Sequence, residues 1–107
     1  MTERKYQILS ELRQLLSNKL KNNLKDVVLF GSQLKDSKST DSDYDILILL
    51  NKTSDWKLER EISDICYEID LKYGIITDTH ILSNDDLNSP RGRQPIFTNA
   101  ITNGFHA

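Results

Sequence analysis

Two aspartates at the start of an apolar run are the residues of this chain best placed to do chemistry. Asp43 and Asp45 flank Tyr44 and lead directly into the aliphatic run 46–50. Side chains alternate between faces in a β-strand, so both carboxylates are expected on one face, with their Cα atoms roughly 6.5 Å apart. Two close carboxylates repel each other, and burial without a counter-charge would drive one of them to protonate. Such an oxygen-only pair suits Mg²⁺, which proteins typically hold with one or two carboxylates plus substrate phosphates.

A Gly-Ser pair upstream provides the other half of a possible site. Gly31 and Ser32 directly follow the apolar strand predicted at 26–30. Glycine permits a sharp turn and a close approach of a ligand. A serine just before a helix start leaves N–H groups and a hydroxyl facing outward, which suits an anion. The two stretches together predict a phosphate-binding turn followed by metal-binding carboxylates, which is a metal–nucleotide site.

The spacing of these residues resembles the signature of the polymerase-β-type nucleotidyltransferases. In that signature Gly-Ser is followed, after ten residues, by Asp-x-Asp, as Gly31-Ser32 is followed by Asp43-Tyr44-Asp45 here. The short length and the ending 95–104 are similar to the minimal nucleotidyltransferase branch, whose members are often encoded beside a HEPN-domain protein. The resemblance covers nearly the whole chain. It implies an α/β (α+β) fold: a small mixed β-sheet with helices packed on one face and the carboxylates on the face left open.

A third carboxylate completes the site that this resemblance implies. On the residues alone, Asp78 is either a metal partner, because an isolated buried charge is heavily penalised, or a surface residue of an edge strand. The resemblance implies the former, with Asp78 as a general base or as a ligand of a second Mg²⁺. It also implies that Gly31, Ser32 and Lys35 bind the nucleotide, Lys35 keeping a positive charge where family members often carry arginine. His80, on the face of Asp78, is expected to be a hydrogen-bonded neighbour rather than a ligand.

The resemblance also implies a function. Relatives of the minimal branch act as antitoxins that transfer AMP to a tyrosine of a HEPN ribonuclease toxin. We therefore expect an enzyme that binds ATP and two Mg²⁺ ions through Asp43, Asp45 and Asp78, and that works by positioning and charge neutralisation. Two alternatives stay open: an antitoxin that neutralises a HEPN partner by binding alone, and a nucleotidyltransferase acting on a small molecule such as an aminoglycoside. The latter enzymes usually carry an additional helical domain, for which this chain has no room.

The composition describes an ordinary globular protein. The chain has 107 residues, a formal net charge of −2, and 28% charged residues, so we expect a single domain, 1–107, without general nucleic-acid binding. No apolar run approaches the ~20 residues of a membrane helix. The N-terminal segment also lacks the apolar region of a signal peptide, so the cytoplasm is the expected location. A half-covered sheet leaves apolar surface, which favours a homo-oligomer or docking on a partner protein.

Hydrophobic periodicity predicts the elements that would position these residues. Apolar spacings of three and four predict helices over 3–22, 54–72 and 96–103, and short apolar runs predict strands over 26–30, 43–50 and 75–82. A short helix is expected to begin at 32–35 and a capped turn to span 83–88. Loop 89–95 carries Arg91 and Arg93, which either contact the triphosphate or the acceptor protein or are simply exposed. Asp70, near a helix end, is expected to be solvated, and 105–107 to be a tail.

Overall fold

A computed structural model describes residues 1–34 and 43–107. Its elements follow the predicted order of helices and strands, with small shifts at their ends. In chain order they are α1 (Glu3–Leu20), a 3₁₀ turn (Lys21–Asn23), β1 (Leu24–Phe30), a second 3₁₀ turn (Gly31–Leu34), β2 (Tyr44–Leu50), α2 (Trp56–Tyr73), β3 (Thr77–Ser83), α3 (Asn84–Leu87), α4 (Pro95–Asn103) and β4 (Phe105–His106). None of the helices in this described part is long and apolar enough to cross a membrane.

The strands form one mixed sheet in the order β3-β2-β1-β4. β1 runs antiparallel to both β2 and β4, while β2 and β3 are parallel. Parallel neighbours need a long crossover connection, and α2 provides it. The predicted fold class, a small mixed sheet with packed helices, is confirmed.

The two long helices cover one face of the sheet, as predicted. Their buried residues recur every three or four positions, which gives each helix one apolar stripe. α1 begins at an N-cap formed by Thr2, and α2 begins at one formed by Asp55, whose side chain accepts a hydrogen bond from the Leu58 N–H. The strand residues that meet these stripes include Val27, Leu29, Tyr44, Ile46, Ile48 and Leu50.

The opposite face is covered over part of its area by α4. There Phe97 and Ala100 pack against alternate residues of the three long strands, namely Val28, Phe30, Leu47, Leu49 and Leu82. Of the face predicted to be open, α4 therefore covers the part lined by apolar residues. The acidic start of β2 lies beyond this apolar cluster.

The predicted C-terminal tail is instead a short edge strand, and this prediction was wrong. In β4, Phe105 pairs with Leu29 and His106 pairs with Val28. Gly104 makes the pairing possible, because a Cβ there would lie 2.3 Å from the Ala100 carbonyl oxygen and 2.5 Å from Val28 Cγ1. A two-residue strand is too short to show a period of two in the sequence.

Candidate active site

Asp45 and Asp78 lie side by side because neighbouring strands carry them in register. Asp45 of β2 is the register partner of Asp78 of β3, which places their Cα atoms about 4.8 Å apart. Leu49 and Leu82, which pack in the cluster under α4, follow Asp45 and Asp78 by four positions. Because side chains alternate along a strand, both carboxylates lie on the face that α4 covers. The strand alternation predicted from the sequence therefore brings these two carboxylates together.

Asp43 lies one residue before β2 and is exposed. Its charge still reaches the site: burial first, and then the charges of Asp78 and Asp43, raise the pKa of the Asp45 carboxyl, while the charge of His80 lowers it. Within the described part of the chain, two neighbouring carboxylates therefore disfavour the ionised form of Asp45. A bound cation would relieve the repulsion.

The donor chemistry of these residues fits Mg²⁺. Within residues 1–34 and 43–107, no three acidic, histidine or cysteine side chains by themselves form a group that could hold a metal ion. Mg²⁺ rarely uses such an all-protein cage and is usually bound by one or two carboxylates together with water and substrate phosphates. If the chain holds Mg²⁺, the carboxylates of Asp43, Asp45 and Asp78 would be oxygen ligands of that kind, with the remaining positions left for water and a nucleotide.

Gly31 is fitted against the Asp45 carboxylate. It directly follows Phe30, the register partner of Asp45, and its φ of +78° lies in the left-handed region. A Cβ at this position would lie 2.1 Å from Asp45 Oδ2, so only glycine allows the turn to approach the carboxylate this closely. Gly31 and Ser32 are both exposed at the start of their 3₁₀ turn, which leaves them accessible to a ligand beside the carboxylates.

A buried lysine supports this turn and was missed in the sequence. Lys5 of α1 is only 8% exposed, and its Nζ donates a 2.8 Å hydrogen bond to the Gln33 carbonyl oxygen. A buried ammonium is costly unless it is hydrogen-bonded, so this contact ties the turn firmly to α1. The signal was available, because Lys5 precedes Ile8 and Leu9 by three and four positions and so lies on the apolar stripe.

His80 and Asp70 are two further polar residues near the carboxylates, and they make different contacts. His80 Nε2 lies 3.7 Å from Asp78 Oδ2, which is beyond hydrogen-bond distance, and its ring contacts the rings of Phe30 and Phe97. Asp70 was predicted to be solvated, but it is half-buried and accepts a 3.0 Å hydrogen bond from the Thr77 N–H. Burial raises the pKa of Asp70, and the charge of Asp43 adds to this shift. Asp70 thereby anchors the start of the strand that carries Asp78.

The remaining predicted positions are Lys35, Arg91 and Arg93. Lys35 falls outside the described residues. Arg91 and Arg93 are exposed, and Arg91 Nη2 makes a long 3.4 Å hydrogen bond to the Ile81 carbonyl oxygen. The structure thus brings together Gly31, Asp45 and Asp78, with Asp43 close enough to influence the pKa of Asp45.

Comparison with known proteins gives a consistent family. Residues 5–90 match the family described as Polymerase beta, Nucleotidyltransferase. Two similar proteins come from Methanocaldococcus jannaschii. One, named as the candidate protein adenylyltransferase MJ0141, is 34% identical over 70 residues, which are 65% of this chain and 71% of that protein. The other, named as the candidate protein adenylyltransferase MJ0604, is 30% identical over 80 residues, which are 75% of each chain.

One solved structure shares the fold. It is the crystal structure of a mutant of the toxin–antitoxin MntA-HpeT in which two aspartates separated by one residue are changed to glutamate. The match covers 89% of this chain and 70% of that chain, with a TM-score of 0.53 and 15% sequence identity. At that identity the likeness concerns the arrangement of the backbone alone.

Proposed function

Because this chain belongs to the polymerase beta nucleotidyltransferase family, we propose that it transfers AMP from ATP to a hydroxyl group of a partner protein. The acceptor in this proposal is a tyrosine of a HEPN-domain toxin, and the chain acts as the antitoxin. The observation that carries the proposal is the meeting of Asp45 with both Asp78 and the Gly31 turn, which joins a carboxylate pair to a phosphate-binding turn.

In the proposed reaction the acceptor oxygen attacks the α-phosphorus of ATP and the bond to the bridging oxygen breaks, releasing pyrophosphate. Asp43, Asp45 and Asp78 would hold two Mg²⁺ ions, which neutralise the charge on the attacking and leaving oxygens. The Gly31 backbone and the Ser32 hydroxyl hold the β- and γ-phosphates, and Lys35 adds a positive charge. Asp78, whose side chain is 55% exposed, is accessible to the acceptor and takes its proton.

The choice of AMP and of a protein acceptor is supported by the relatives. Both M. jannaschii proteins are named as candidate protein adenylyltransferases. The toxin–antitoxin structure supports a toxin partner, and its two altered aspartates have the spacing of Asp43 and Asp45. A protein of this function would work where ATP and its toxin are present, which is the cytoplasm.

The test measures nucleotide binding and transfer in parallel. The isolated chain is titrated calorimetrically with ATP, with and without Mg²⁺, and ATP labelled at the α-phosphate is then used to follow transfer to a co-expressed HEPN-domain protein. We expect binding that requires Mg²⁺ and label on a tyrosine of the partner. The double variant Asp43→Asn/Asp45→Asn should lose both, while Asp64→Asn, which changes an exposed acid on α2, should keep both.

Two results would contradict the proposal. If the double variant still silences the toxin while transferring no label, the chain acts by binding alone. If label appears on an aminoglycoside without any partner protein, the acceptor is a small molecule.

A further inference from the structure

A cleft opens beside the Gly31 turn, between it and α4, and it has no role in the reaction as proposed above. It has a volume of about 520 Å³, within the usual range for small-molecule sites. Phe30, Leu34, Ile96 and Ala100 supply its apolar surface. Gly31 lines it too, and this same residue contacts the Asp45 carboxylate, so the cleft is continuous with the candidate active site.

Two amides on α4 give this cleft a polar edge. Asn99 and Asn103 both line it, one helical turn apart. Asn103 Nδ2 donates a 3.1 Å hydrogen bond to Asn99 Oδ1, and this is the side-chain hydrogen bond that the described residues give either asparagine. This bond uses the Asn99 oxygen and one Asn103 N–H, and it leaves the Asn99 amino group as a donor and the Asn103 oxygen as an acceptor for a ligand.

We infer that this cleft holds the adenine ring of ATP and that Asn99 and Asn103 select adenine; the inference rests on the proposed function. Adenine presents its N6 amino donor next to the ring acceptor N7, the pattern that a side-chain amide recognises in nucleic acids. The Asn103 oxygen accepts from the adenine amino group, and the Asn99 amino group donates to the ring nitrogen. The flat, apolar ring lies against Phe30 and Ile96.

The pattern distinguishes adenine from hypoxanthine by one group. Hypoxanthine has a carbonyl oxygen where adenine has its amino group, so the Asn103 oxygen would face another acceptor. Sites built to hydrogen-bond a ligand reject analogues that leave a polar group unpaired. We therefore expect ATP to bind about 10-fold more tightly than ITP.

The experiment titrates the full chain calorimetrically with ATP, ITP and inorganic tripolyphosphate, each in the presence of Mg²⁺. In Asn103→Ala and Asn99→Ala the ATP-to-ITP ratio should fall toward one, and tripolyphosphate binding should stay as in the unaltered chain. Thr102→Ala changes an exposed α4 residue that does not line the cleft, so it should keep the full ratio. Circular dichroism confirms that each variant retains its helices.

The outcomes separate this inference from the proposed function. Equal binding of ATP and ITP, or a ratio that Asn103→Ala leaves unchanged, overturns the adenine site even when tripolyphosphate binds. If Asn103→Ala instead weakens only transfer to the partner, the cleft holds the acceptor and the inference is wrong. Failure of ATP and tripolyphosphate alike to bind overturns the phosphate site and the adenine site together.

Discussion

Asp26 and Asp45 lie at opposite ends of the β1–β2 pair, and their surroundings are opposite in charge. The carboxylate of Asp26 accepts hydrogen bonds from His106 Nδ1, Arg13 Nη1 and the Val27 N–H. Burial alone would raise the pKa of Asp26, but these partners outweigh burial and lower it. At Asp45, burial and two neighbouring carboxylates all raise the pKa.

The difference separates a carboxylate that the fold surrounds with cations from one that it places beside other carboxylates. Where an aspartate stabilises the fold, as Asp26 does by joining α1, β1 and β4, the chain supplies its positive partners. Among the described residues, the groups that act on Asp45 are two other carboxylates and only one opposing side chain, His80. A carboxylate cluster without positive partners in the described part of the chain costs stability, and such a cluster is typical of a site whose positive charge arrives with a ligand.

The largest expected effect comes from removing the charge of Asp45. In Asp45→Asn, AMP transfer should fall at least about 100-fold, because the variant loses charge stabilisation of the transition state. The free energy of unfolding at neutral pH should not fall, since the amide removes repulsion from Asp43 and Asp78. Transfer rates and urea unfolding in metal-free buffer measure the two quantities. A clear loss of stability would mean that Asp45 is a structural carboxylate like Asp26.

The same substitution at Asp26 should have the opposite effects on stability and on activity. Asp26→Asn leaves Arg13 and His106 without their carboxylate, so the free energy of unfolding should fall by about 1–3 kcal/mol. Binding of Mg²⁺ and ATP by the folded variant should stay within about twofold, because distant sites act independently. Urea unfolding and calorimetry test this, with Asp64→Asn as the exposed control. Weakened nucleotide binding at unchanged stability would contradict the structural role of Asp26.

The sequence indicated the neighbours of Asp45 much better than it indicated those of Asp26. Asp43, Asp45 and Gly31 could be singled out from local features: alternation along one strand and a turn directly after another. Asp78 was added through the family resemblance, and its register pairing with Asp45 depends on the parallel alignment of β2 and β3, which no local pattern reports. The chemical roles of these residues stay predictions.

What the sequence did not predict depends on contacts between distant segments. Lys5 meets the Gln33 carbonyl across 28 positions, and His106 meets Asp26 across 80. No periodicity reports such contacts, because each is decided by how the helices settle on the sheet. The cleft beside α4 has the same origin: its apolar residues come from β1, the Gly31–Leu34 turn and α4 together.

The smallest expected effect is a pH dependence at the Asp26 end. Both ring nitrogens of His106 face acceptors, Asp26 Oδ2 and the Ile101 carbonyl oxygen, so the folded protein favours the doubly protonated ring. The hydrogen bond to Asp26, then the one to Ile101, raises the pKa of His106 above its usual 6.5.

A pKa raised by folding contributes stability that is fully present below the unfolded pKa and is lost as the pH rises through the folded pKa. The free energy of unfolding should therefore decline as the pH rises above 6.5, by at most about 1 kcal/mol because the ring is partly exposed. His106→Gln cannot titrate, so its unfolding free energy should lack this decline between pH 6 and pH 9. Urea unfolding across that range tests it, and parallel curves for the two proteins would show that Arg13 alone compensates Asp26.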